Sequence, residues 1–232
     1  MSVLAIDYKI ILTGNRAFHF NLEIDRETLT LNCEDVPDLP DWTKLEFCKC
    51  PHCPLSPDEH PRCPLARNLV GTLNTFSEIT SYDRVQLEVI TNERRITQET
   101  SAQQAISSLM GLLIATSGCP HTHFFKPMAR FHLPLASEEE TIFRSTGNYL
   151  LAQYFLAKNG EPFDFNMKGL EEIYRNIETL NLKVVDRIRA ACSEDSTVNA
   201  MVMLDFFAKM LPDLIDESLG NIRYMFEPYL KN

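Results

Sequence analysis

Apolar and polar residues alternate along the first thirty positions of the chain. Ile6, Tyr8, Ile10 and Leu12 take every second place, Thr13-Gly14-Asn15 supplies a turn, and Phe18, Phe20, Leu22 and Ile24 resume the pattern. A polar turn at Asp25-Arg26-Glu27 leads into Leu29, Leu31 and Cys33, spaced in the same way. Successive side chains of a strand point to opposite faces, so this period of two predicts a three-stranded meander with one buried face. A further strand is expected from Arg84 to Ile90, where Val85, Leu87 and Val89 share a face. It turns at Thr91-Asn92-Glu93 into a partner running through Ile96.

Elsewhere the period becomes helical. Ile106, Leu109, Met110, Leu113 and Ile114 mark one apolar face between Thr100 and Thr116, and Ser117-Gly118 ends it, glycine being favoured just past a helix. A shorter helix is expected over about 65–76. Ser137 followed by Glu138, Glu139 and Glu140 is a capping signature, and helices are expected near 138–158, 167–192, 196–211 and 212–230. The fold class is α+β: an N-terminal antiparallel β-sheet with a central helix and a metal-stapled loop, followed by a C-terminal helical bundle. The chain divides as a β-rich metal-binding region over 1–133 and the bundle over 134–232, or runs as one continuous domain.

Between Glu34 and Pro64 stand seven of the chain's thirteen prolines, too many for a helix or a central strand. This long loop carries Cys48, Cys50, Cys53 and Cys63. Four of the seven cysteines are followed directly by proline: Cys50-Pro51, Cys53-Pro54, Cys63-Pro64 and Cys119-Pro120. Each such pair holds a sulfur on a stiff, non-helical stretch. Cys50-Pro51-His52-Cys53 has the C-x2-C spacing of a zinc knuckle, and Cys63 follows ten positions later. A closed tetrahedral site needs a fourth ligand, for which Cys119, His60 and Cys48 compete. Cys119 is preferred, because it shares the Cys-Pro environment and sits at a chain reversal. The metal set is therefore Cys50, Cys53, Cys63 and Cys119. Zinc is the expected metal, an iron–sulfur cluster the alternative, and axial ligation of haem a distant third.

Cys119, His121, His123, Met128 and His132 form a second, overlapping constellation, in which a metal-dependent or redox site could be built. The plainer reading is favoured: His123 and His132 stand among Phe124, Phe125, Phe131 and Leu133 as hydrogen-bonded core histidines. Signatures of zinc hydrolases, deaminases, phosphate-binding loops, dinucleotide folds and nucleophile elbows are absent from the sequence, so no reaction is assigned. Ser107-Ser108 reads as a pair of helical serines rather than nucleophiles. Arg94, Arg95, Lys126 and Arg130 read as solvated charges rather than an anion pocket. Phe206, Phe207, Met210, Leu211 and Leu214 form a stripe expected in the bundle core, or else at an interface with a protein partner or a second copy of the chain.

The net charge of −10 argues against a nucleic-acid protein, whose footprint is basic. No apolar run reaches the roughly twenty residues that span a bilayer. The sequence MSVLAIDYKI lacks the basic start and apolar core of a secretory signal. A cytoplasmic location is expected, with cysteines kept reduced, and an odd number of them suits a disulfide framework poorly.

The segments CPHCPLSPDEHPRCPLARNL and SSLMGLLIATSGCPHTHFFKPMARFHLPLA resemble an uncharacterised bacterial family known as a domain of unknown function, over most of the chain. The motifs CPxCPL, HPxCP and SGCPH carry the resemblance, at Cys50, Cys53, His60, Cys63, Cys119 and His121. It implies a bacterial cytoplasmic protein and adds no reaction.

Overall fold

The computed structural model describes residues 3–14, 16–33, 38–76, 79–191, 198 and 219–231. Four antiparallel strands, β1 (Val3–Leu12), β2 (Ala17–Asp25), β3 (Arg84–Ile90) and β4 (Arg95–Ser101), form one sheet in the order β2-β1-β3-β4. The alternation read from the sequence sets the register. Tyr8 lies opposite Phe20 on one side and Val89 on the other, and the face bearing Leu4, Ile6, Tyr8, Ile10, Val85, Leu87 and Val89 is buried.

The third strand of the expected meander does not form. Asp25 Oδ1 accepts from the N–H groups of Glu27 (3.0 Å) and Thr28 (2.7 Å) and from the Thr28 hydroxyl (2.9 Å), which curls the chain. Leu29 then takes a φ of +51°, outside the extended region. One bridge, Ile24 to Leu31, is what remains of the pairing. The Leu31 N–H also donates to the Thr116 carbonyl (2.9 Å), so this segment ties the sheet edge to the end of the central helix.

Helices α1 (Pro64–Thr75) and α2 (Ala102–Ala115) cover the buried face, followed by the short α3 (Lys126–Arg130). Ser101 caps α2 by accepting from the Gln104 N–H (3.3 Å). Ten of the fourteen residues of α2 are buried, among them Ile106, Leu109, Met110 and Leu113. A helix that is apolar nearly all round must be enclosed on more than one side. Further cover comes from the 3-10 turn Pro120–Phe125 and α3, and α5 (Lys168–Ala191) adds Leu180, Val184, Val185 and Ile188 to the same core. α4 (Glu138–Lys158) begins with the expected capping box. Ser137 Oγ accepts from the Glu140 N–H (3.2 Å), and Glu140 Oε2 accepts from the Ser137 N–H (2.7 Å). A second, smaller core joins Ile142 and Tyr149 of α4 to Leu170, Tyr174 and Ile177 of α5 and to Ile222.

α5 thus packs into the sheet-side core as well as against α4. The expected helix over 196–211 and the Phe206–Leu214 stripe lie outside the described residues. The helix expected to run unbroken to residue 230 instead gives way to a 3-10 turn at Arg223–Met225 and a short helix at Glu227–Leu230. Pro228 sits in the first turn of that helix, where a missing N–H costs nothing. Among the described residues, no helix is long and apolar enough to cross a membrane.

The proline-rich loop folds back on itself over the described residues 38–63. A 3-10 turn at Asp41–Thr43 precedes a bridge between Lys44 and Arg62. Around it, the Leu45 N–H donates to Pro61 O (3.0 Å) and the Cys63 N–H to Thr43 O (2.8 Å). Two arginines pin the loop. Arg62 Nη1 reaches Pro40 O (2.8 Å) and Thr43 Oγ1 (2.9 Å). From α5, Arg187 Nη1 donates to Trp42 O (2.5 Å) and Lys44 O (2.9 Å), and its Nη2 to Leu45 O (3.1 Å). Arg187 is only 3% exposed.

Replacing Arg187 by Met keeps most of the apolar stem and leaves three carbonyls without their charged donor. A loss of roughly 3 kcal/mol is expected, read as a lowered denaturation midpoint. A loss well below about 1 kcal/mol would show that the loop is held by other contacts.

Candidate functional site

Proline fixes where the sulfurs go. Cys63 is the N-cap of α1, with extended backbone angles and Pro64 at the first helical position. Cys119 plays the same part for the 3-10 turn Pro120–Phe125, again with proline next. A cap residue followed by proline is a favoured way to begin a helix, and it leaves the cap side chain at the positive end of the first turn. The two starts lie against each other. A Cβ added to Gly118 would meet Pro64 Cβ at 3.4 Å, so the small residue before Cys119 admits the start of α1. In the knuckle, the Cys53 N–H donates back to Cys50 O (3.0 Å). His121, two positions past Cys119, places Nε2 2.9 Å from His52 O, and the two imidazole rings stand 4.1 Å apart. The turn after α2 is thereby seated on the knuckle.

Cys50, Cys53, Cys63 and Cys119 line one small cavity of about 20 Å³. Leu45, Leu180 and Val184 supply its apolar wall, and Lys49, Lys183 and Arg187 its cations. Cys119 is 7% exposed. Burial raises the Cys119 thiol to about 12, helped by the charges the other three sulfurs would carry. Burial raises Cys50 to about 11, with Cys63 and Cys53 adding to the shift and Arg187 opposing it. Both are neutral thiols at neutral pH unless a cation is supplied. Among the described residues, no three or more His, Cys, Asp or Glu side chains are set as a group that would hold a metal ion.

The competing candidates lie elsewhere. His60 is exposed, and neither it nor Cys48 is among the described residues lining the cavity. Cys48 adopts a φ of +48°. Cys33 donates to Asn68 Oδ1 (3.0 Å). The second constellation does not assemble. His121 turns to His52, His123 is exposed rather than a core residue, and His132 faces the sheet. The basic residues separate as well. Arg95 pairs with Glu88 (3.3 Å) and Arg130 with Glu93 (3.1 Å), while Lys126 donates to Thr28 O (2.6 Å) and Thr30 Oγ1 (2.9 Å).

Three buried polar side chains at or beside the cavities escaped the sequence reading. Arg187 and Asn181 occupy the buried stripe of α5 among Ile177, Leu180, Val184 and Ile188. A polar residue at a core position of an amphipathic helix was the available signal. The third is Tyr8, fully buried in β1, whose hydroxyl bridges Ser108 Oγ (3.0 Å) and His132 Nε2. Ser108 Oγ also accepts from the Leu135 N–H (3.3 Å). Burial, with Arg144 nearby, lowers His132 to about 3, so it is neutral imidazole in the folded chain.

A family model described as Domain of unknown function (DUF6901) matches residues 6–227. No curated protein and no solved structure matches the chain.

The lowered pKa of His132 has a signed consequence. Between about 3 and the ordinary value near 6.5 the unfolded chain binds a proton there that the folded chain does not. Its contribution is therefore fully present above about pH 6.5 and is lost as pH falls toward 3. Between pH 7.5 and 5.5 the wild type should lose about 1 kcal/mol more than His132→Gln in denaturant titrations. Equal losses would place His132 in water.

Proposed function

The chain belongs to this DUF6901 domain family, and we propose that it is a metal-binding protein with a binding or regulatory role. In this reading one structural zinc on Cys50, Cys53, Cys63 and Cys119 clamps the proline-rich loop to the end of α2. The observation that carries the proposal is that four Cys-Pro cysteines line one cavity, although Cys63 and Cys119 stand 56 positions apart. Bringing the ends of so long a segment together costs a few kcal/mol of chain entropy, by rough estimate, which a metal can offset.

Charge supports the same reading. Zinc with four thiolates carries a net charge of −2. Arg187, Lys183 and Lys49 line the cavity, and the described partners of Arg187 are backbone carbonyls rather than a carboxylate. A buried guanidinium without a counter-ion is costly; a thiolate cluster would supply one. Neutral thiols have no mutual attraction that would draw four sulfurs within reach of one ion. Binding therefore turns them into the cavity and releases their protons. The bound ion would supply folding energy and no reaction. A volume of about 20 Å³ suits one ion better than a cluster of several iron and sulfide atoms. Reduced thiolates also fit a cytoplasmic setting, as does association with a protein partner or a second copy.

Elemental analysis after anaerobic purification should find about one zinc per colourless chain. Cys53→Ser and Cys119→Ser should lose the zinc and unfold at lower temperature, whereas Cys48→Ser and His60→Ala keep both. Absence of zinc and iron, or retention of full zinc by Cys119→Ser, would overturn the proposal. Brown protein with iron and sulfide would replace zinc by an iron–sulfur cluster.

A further inference from the structure

A larger cavity, of about 490 Å³, lies on another flank of α2, between that helix, α5 and the segment from α3 to α4. It falls within the range of small-molecule sites. Phe125, Met128, Leu133 and Ile177 give it an apolar wall. Its polar groups are unequal in a way that selects a ligand.

Arg144 comes from α4 into this cavity. Its Nη2 donates to Met128 O (2.9 Å) and Phe131 O (3.0 Å), and no carboxylate among the described residues lies within ion-pair distance of it. Glu140 acts on it only through space. Glu138, the carboxylate on the described lining, stands exposed at the mouth. Asn181 comes from α5 and is 2% exposed, yet its Nδ2 has no hydrogen-bond partner among the described residues. A buried amide donor left unpaired is destabilising. That cost is recovered when a ligand brings an acceptor.

We propose that this cavity binds a small organic acid with an apolar body, its carboxylate on Arg144 and a second acceptor oxygen on Asn181. Guanidinium selects a carboxylate through charge-assisted hydrogen bonds. The orphan amide demands an acceptor such as a ketone or ether oxygen, and the aromatic and aliphatic wall takes an aryl or alkyl body. The neutral imidazole of His132, held on Tyr8, adds no second cation. The inference concerns a different cavity from the thiol cluster and stands whether or not that cluster holds a metal.

Calorimetric titration of the full chain with γ-benzoylbutyrate tests it, against its methyl ester, which lacks the charge, and δ-phenylvalerate, which lacks the ketone. The acid should bind roughly tenfold tighter than either analogue. Arg144→Gln should abolish the difference between acid and ester. Asn181→Leu should abolish the difference between the keto acid and phenylvalerate, while its unliganded melting temperature holds or rises because an unpaired donor has gone. Should Arg144→Gln fail to fold, Asn181→Leu alone decides. No binding of the acid at millimolar concentration, equal binding of acid and ester, or indifference to Asn181→Leu would overturn the proposal.

Discussion

Enclosure of α2 is the constraint on which the rest of the structure depends. The helix is apolar nearly all round, so the sheet alone cannot bury it; α1, α3 and the Pro120–Phe125 turn lie against it, and α5 joins the same core. Once α2 is fixed, its end is fixed too. Gly118 lies against Pro64, and Cys119 faces the start of α1 and the knuckle. The clamp cavity and the larger cavity are thus consequences of one packing decision, made at two different places along the same helix.

Much of this was legible in the chain. Alternation located β1, β2 and β3, and the helical period and capping residues located α1, α2 and α4 to within a residue or two. What failed was long-range. Residues 29–33 carry a strand pattern, but Asp25 captures the following N–H groups, and Leu31 serves the end of α2. Local alternation says nothing of a partner more than eighty positions away. The polar break in the stripe of α5 was there to be read at Arg187, but what it bonds to was invisible for the same reason. Its three carbonyl partners sit in the loop, more than 140 positions earlier. The pairing of Cys63 with Cys119 could be conjectured because both are Cys-Pro caps, a chemical likeness that survives separation in sequence.

Polar groups inside the molecule divide into two kinds. Arg62 and Tyr8 are satisfied by the protein and hold structure. Arg187, Arg144 and Asn181 keep charge or hydrogen-bonding capacity that the described residues do not fully use. Buried capacity of that sort is expensive, and it is retained where something else completes it. Beside the thiols we propose that negative charge completes it, and in the larger cavity an acidic, acceptor-bearing ligand.

We propose that four sulfurs share one zinc ion. X-ray absorption at the zinc edge, on protein purified without chelator, tests it most directly. A single shell of four sulfurs at about 2.3 Å is expected, with no nitrogen or oxygen neighbour. A shell containing histidine nitrogen would bring His60, His121 or His52 into the site and contradict the ligand set. Protein that neither carries zinc nor takes it up would contradict the clamp itself.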